Sequence, residues 1–116
     1  MRRIVCILLC ITFFASANAL TVVNVTRITN DEYSQFGPAL YGELLVYTEV
    51  RNETPRIMLM DLSSGAVQQI TDGSAECGCP SIYRDCIVWG DNRSGNLDIY
   101  LYNLTSGEEM PIATAE

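Results

Sequence analysis

The chain of 116 residues contains no histidine and no lysine. Without histidine there is no Ser-His-Asp or Cys-His nucleophile arrangement and no imidazole-ligated metal. All seven positive residues are arginines, set against fourteen Asp and Glu, for a net charge of −7. An acidic surface of this kind repels nucleic acid and anionic lipid and favours solubility. Long apolar runs are nearly absent too. The one candidate, Ile4 to Ala15, is shorter than the ~20 residues a helix needs to cross a bilayer. No segment shows a helical period over a useful length, so helical fold classes are excluded.

That apolar run has the layout of a secretory signal peptide over residues 1–19. Arg2 and Arg3 precede it, and Ala17-Asn18-Ala19 places small residues where a signal peptidase reads, with cleavage before Leu20. An uncleaved anchor is the alternative. Loss of the two arginines leaves five positive against fourteen negative residues, making the acidity more pronounced. Cys6 and Cys10 leave with the leader; Leu9 is too bulky to precede a lipidated Cys10. Cys77, Cys79 and Cys86 remain. An odd number in an oxidising compartment leaves one thiol free or paired between chains.

What organises the rest is an internal repeat. Placing Pro38 over Pro80 aligns the chain with itself, without a gap, at an offset of 42. Tyr41 meets Tyr83, Val46 meets Val88, Arg51 meets Arg93, Ile57 meets Ile99, Leu59 meets Leu101, and Ser64-Gly65 meets Ser106-Gly107. Conservative pairs such as Leu45/Ile87, Tyr47/Trp89 and Asp61/Asn103 fill the intervals. Ile28-Thr29 meets Ile70-Thr71, so Val22 to Thr29 reads as the last strand of a partial blade. In the second copy the expected strands are 80–83, 86–90, 98–104 and 108–113, joined by Arg84-Asp85, the polar loop 91–96, and Thr105-Ser106-Gly107. In the third strand Ile99 and Leu101 take one face, Tyr100 and Tyr102 the other; in the first copy Ile57 and Leu59 oppose Met58 and Met60. Both faces are apolar, which fits a sheet sandwiched between two others and not a sheet with one wet face. A four-stranded repeat of about 40–50 residues is the period of a β-propeller blade.

The stretch Pro80-Ser-Ile-Tyr-Arg-Asp-Cys-Ile-Val-Trp, followed by Asp91-Asn-Arg-Ser-Gly-Asn-Leu-Asp-Ile-Tyr-Leu-Tyr-Asn-Leu-Thr-Ser-Gly, resembles the TolB-like propeller repeat, in the variant common in secreted and surface proteins of archaea. The likeness runs over residues 22–113. It implies an all-β fold of two tandem four-stranded antiparallel blades, an extracytoplasmic location and a role in protein contacts. The domain reading is a leader (1–19), an N-terminal strand from a partial blade (20–37), blade 1 (38–79) and blade 2 (80–116). Two blades make an incomplete propeller, since closure takes about four or more. The chain is then a fragment of a larger propeller, the preferred reading, or a self-assembling unit, or a half-domain standing alone. Here the chain also departs from the family pattern, with Cys77, Cys79 and Cys86 where the first copy has Gln35, Gly37 and Leu44.

Candidate sites are few. Asp91 with Asp98, or Glu49 with Glu53, could serve as paired carboxylates, but Asp91 and Asp98 bracket a turn and suit bonding to its backbone. The 91–98 loop offers oxygen ligands around Gly95, yet lacks the alternating ligand spacing and distal Glu of a calcium loop, and Arg93 sits in its middle. Cys77-Gly78-Cys79 is expected in an inter-blade loop, short of zinc ligands, and is a candidate for a bridge to another chain; Cys86 is a candidate small core residue or thiol. Four N-x-S/T sequons, at Asn24, Asn52, Asn92 and Asn103, are candidate glycosylation acceptors.

The expected function is therefore a non-enzymatic, exported propeller segment, without cofactor or metal. It binds a protein partner or itself through open blade faces. The alternatives are an accessory propeller of a secreted hydrolase or a truncated remnant. If the leader is processed, N-terminal sequencing of the exported protein will begin at Leu20; an N-terminus at Met1 on membrane-bound material would establish the anchor instead.

Overall fold

The computed structural model describes residues 24–114. Residues 1–19, where the leader is expected, lie outside them. The segment up to Asn30 forms a unit separate from Asp31–Glu116. Its described part carries no strand. Of the strand expected over Val22 to Thr29, Val22 and Val23 lie outside the described residues, and the described part is unpaired with either sheet below.

The second unit is all-β. The first sheet contains β1 (Ser34–Tyr41), β2 (Leu44–Arg51), β3 (Thr54–Asp61) and β4 (Val67–Gln69). The second contains β5 (Cys77–Tyr83), β6 (Cys86–Asp91), β7 (Asp98–Asn103) and β8 (Glu108–Ala113). Each is an antiparallel meander in sequence order. The repeat read from sequence reappears in the hydrogen bonds. Leu62 N donates to Glu43 O at 2.8 Å, and Leu104 N to Asp85 O at 2.7 Å. Gly65 N donates to Asp61 O at 2.7 Å, and Gly107 N to Asn103 O at 2.8 Å. The Asp61 carboxylate accepts from Ser63 N, and the Asn103 carbonyl from Thr105 N, each at 2.8 Å. Asp61 and Asn103 thus close the same turn by the same Asx geometry.

The first strand of each blade starts earlier than expected, β1 at Ser34 and not at 38, β5 at Cys77 and not at 80. β5 begins at Cys77, so Cys77-Gly78-Cys79 is the bulged beginning of a strand and not an inter-blade loop. β1 has its bulge at the equivalent place, between Phe36 and Ala39. One type of bulge places a residue, usually glycine, at positive φ. In blade 1 that residue is Gly37 (φ 61°), in blade 2 Cys79 (φ 54°). The following two-residue turn shows the same exchange, Gly42 (φ 59°) against Arg84 (φ 54°). The bulge was hidden in the sequence because the second copy lacks the glycine that would mark it.

The two sheets pack face to face. Val46, Thr48, Ile57 and Leu59 share one face of blade 1, since Val46 pairs with Leu59 and Thr48 with Ile57. Ile82, Ile87, Trp89 and Tyr100 lie on the facing side of blade 2, and these side chains form one hydrophobic core with Val46, Ile57 and Leu59. Val46, Ile57 and Ile87 are completely buried; burying such a side chain contributes about 1.5–3 kcal/mol. Trp89 stacks on Tyr100 with ring centroids 6.3 Å apart, and Tyr41 meets the edge of its counterpart Tyr83 at 5.3 Å. The link between sheets is tied down as well. Ile70 N donates to Ile57 O at 2.8 Å, Ile57 N to Thr71 Oγ1 at 2.9 Å, and Cys77 Sγ to Pro55 O at 3.5 Å. The result is an open, incomplete propeller of two blades.

Replacing a strained left-handed residue by the glycine its twin carries relieves a cost of about 1 kcal/mol. Cys79→Gly and Arg84→Gly will each raise stability by roughly 0.5–1 kcal/mol in urea unfolding; a loss in both would contradict the strain assigned to these positions.

Candidate interaction surface

The two copies differ most in what covers them. The face of blade 1 carrying Val46, Ile57 and Leu59 is sealed by blade 2. The same positions in blade 2 are Val88, Ile99 and Leu101. Val88 and Leu101 are half-buried and Ile99 is 38% exposed, where Ile57 is at 0%. Met110 pairs with Leu101 and is 43% exposed. Leu97, 72% exposed, folds over Gly90, where an added Cβ would lie 3.3 Å from Leu97 Cδ1. A continuous apolar surface thus runs across β6, β7 and β8. At its end lies a pocket of about 240 Å³ lined by Glu76, Cys77, Gly78, Cys79, Gly90 and Leu97. β8 is exposed along its whole length, and its outer edge offers unpaired backbone groups for strand addition.

The candidate carboxylates at Glu49, Asp91 and Asp98 are all buried and hydrogen-bonded. Asp91 and Asp98 face each other across the β6–β7 ladder and both are buried. The Asp91 carboxylate accepts from Trp89 Nε1 at 3.1 Å, Arg93 N at 2.9 Å and Arg93 Nη2 at 2.6 Å. Burial pushes its pKa up, but the Arg93 guanidinium and backbone and the Trp89 indole outweigh this and hold it below the usual aspartate value. Arg93 also reaches Glu109 and lies 4.2 Å from the Tyr100 ring centroid. Ser94 Oγ donates to Asp98. Blade 1 repeats the device with Glu49, bonded by Arg51 and by Gln35 Nε2 at 2.8 Å, while Arg51 lies over Tyr33 at 4.8 Å. Glu53 sits exposed in the β2–β3 turn, whereas Glu49 is buried. The Arg51/Arg93 match was visible in sequence; its role as counter-ion to a buried carboxylate two residues earlier was not read there. No group of three or more Cys, Asp or Glu suited to a metal occurs among the described residues.

Cys77, Cys79 and Cys86 carry free thiols. Cys77 is buried, with its thiol pushed up by burial; Cys79 is exposed; Cys86 is half-buried, and burial raises its thiol too. Of the sequons, Asn24 and Asn52 are exposed. Asn92 has both amide atoms engaged by Glu76, at 3.0 and 3.2 Å. Asn103 is half-buried and closes its turn. No helix among the described residues is long and apolar enough to cross a membrane.

This geometry has relatives among solved structures. TolB from Acinetobacter baumannii superposes with a TM-score of 0.64 at 22% identity, over 75% of this chain and 23% of that one. A second TolB structure, from Agrobacterium tumefaciens, gives 0.64 at 21% identity, over 76% of this chain and 33% of that one. The fold is that of a TolB-like propeller, and the chain spans about a quarter to a third of those proteins' length. No protein-family model and no curated protein matches the sequence.

Because the folded pKa of Asp91 is lowered, its stabilisation is complete above the unfolded value near 3.8 and is lost as pH falls through the lower folded value. Asp91→Asn will cost about 1–3 kcal/mol at pH 7. The gap to the native chain will close below about pH 4 in urea titrations at stepped pH; a gap that persists undiminished to pH 2 would place the interaction elsewhere.

Proposed function

We propose that this TolB-like segment is a non-catalytic, extracytoplasmic protein-binding module that works through the open face of blade 2. The observation that carries the reading is the contrast between Ile57 and Ile99. The same residue in the same register is sealed in one copy and open in the other. Apolar sheet faces of this kind mark sites of protein contact. The buried carboxylates do not compete with this role, because Asp91 and Glu49 are taken up by Arg93 and Arg51. The acidic composition argues against nucleic acid as the partner. The leader-like N-terminus supports export to the periplasm, the cell surface or the medium, and the exposed sequons Asn24 and Asn52 are the acceptors best placed for glycans.

A photo-reactive amino acid at position 99, introduced into the full chain in its source cells, tests the reading. Crosslinks to polypeptide are expected from position 99 and not from position 94 in the polar hairpin loop. The chain is expected in the extracytoplasmic fraction. Equal labelling from both positions, or a cytoplasmic location, would overturn it.

A further inference from the structure

The covered face of blade 1 and the open face of blade 2 share their apolar residues but differ in charge at their corners. On the open face, Val88, Leu101 and Met110 form one row across β6, β7 and β8. Glu108 stands two residues before Met110 on β8, so it shares that side of the sheet, and it is exposed. At the other end Glu76, also exposed, lines the pocket together with Gly90 and Leu97. Glu108 pairs with Asn103 at the last residue of β7. Glu76 precedes β5, on the opposite edge, and its carbonyl accepts from Asn92 N at 3.1 Å, just past the end of β6. The two carboxylates therefore mark diagonal corners of the face. The ion pairs among the described residues join Arg51 to Glu49 and Arg93 to Asp91 and Glu109; none takes up Glu76 or Glu108. Arg84 and Asp85, adjacent in the β5–β6 turn, offset each other. At the equivalent corners the covered face of blade 1 carries Ser34 and Ala66, both uncharged. Its Asp61, at the place of Asn103, is engaged in closing its own turn with Ser63.

We propose that the open face of blade 2 receives a cationic amphipathic segment of another polypeptide, apolar at its centre and bearing Lys or Arg toward both ends. Its apolar side chains lie on Val88, Ile99, Leu101 and Met110, and its cations meet Glu76 and Glu108. The proposal rests on the protein-binding reading above and states the chemistry of the partner. An apolar patch attracts any apolar surface, so the charges at its rim choose among them: like charges brought together are unfavourable, and opposite charges speed the encounter. The net charge of −7 acts in the same sense at longer range, and it acts against a second copy of this acidic chain. The diagonal between the two corners crosses three strand spacings and about six residues of strand, roughly 25 Å, which an extended segment of about eight residues spans.

The test titrates the isotopically labelled full chain with a synthetic peptide of about ten residues, valine alternating with serine between terminal lysines, and follows the backbone amide shifts. The amides of Val88, Ile99 and Leu101 are expected to move and saturate. A peptide with glutamates in place of the lysines is expected to leave them unmoved. The double variant Glu76→Gln, Glu108→Gln changes two exposed side chains, and a matching thermal unfolding curve will verify that it is folded. It is expected to raise the Kd of the lysine peptide by about three- to tenfold, and high salt is expected to weaken binding to the native chain likewise. No shifts on this face, equal binding of the glutamate peptide, or an unchanged Kd in the double variant would overturn the proposal. Crosslinking from position 99 separates it from the reading on which it rests. If position 99 captures a different polypeptide while the two peptides bind alike, the cationic partner falls and the protein-binding reading stands. Capture of a second copy of this chain also removes the cationic partner. If position 99 captures no polypeptide, both fall.

Discussion

The constraint on which this molecule depends is that a sheet apolar on both faces must have both faces covered. In β3, Ile57 and Leu59 point one way and Met58 and Met60 the other. In β7 the same is true of Ile99 and Leu101 against Tyr100 and Tyr102. No single sheet of this composition can stand in water without a large unfavourable exposed area. Stacking the second sheet on the first resolves half of the difficulty. It seals Val46, Ile57 and Leu59 beneath Ile82, Ile87 and Trp89. It leaves the mirror problem at Val88, Ile99 and Leu101. The proposed binding surface is this half-open face of the second blade.

A second requirement follows from packing so tightly. Thr48 is wholly buried in the inter-blade face and its hydroxyl has no hydrogen-bond partner; a Gly78 Cβ would stand 3.9 Å from it. Buried carboxylates at Glu49 and Asp91 would be far more costly if unpaired. Each is matched by an arginine two residues on, and each arginine also lies over an aromatic ring, Tyr33 in one case and Tyr100 in the other. The pairing closes the end of the β2–β3 and β6–β7 hairpins while keeping charge out of the core. It accounts for carboxylates whose spacing in sequence invites a catalytic or calcium reading.

The blade repeat was legible because it is carried by strong local signals: the offset of 42, the turn residues Asp61 and Asn103 before Ser-Gly, and the two-sided apolar pattern of the third strands. The limits of the signal are equally physical. Cys79 and Arg84 occupy left-handed positions that the first copy marks with Gly37 and Gly42, so the bulge and the true start of β5 were concealed. The segment before Asn30 has the residues of a fourth strand, but neither sheet among the described residues takes it, and its described part carries no strand. Pairing is a property of the neighbour as much as of the strand.

By itself, the sequence determined the class of fold, the number of blades and which residues share a face, because side-chain alternation and turn chemistry are local and periodic. Only the tertiary structure decided which of two like faces is covered. Val46 and Val88, Ile57 and Ile99, Leu59 and Leu101 are equivalent in every local respect. They differ solely in what lies about 10 Å across from them, since the blade that covers the first set has no successor among the described residues to cover the second.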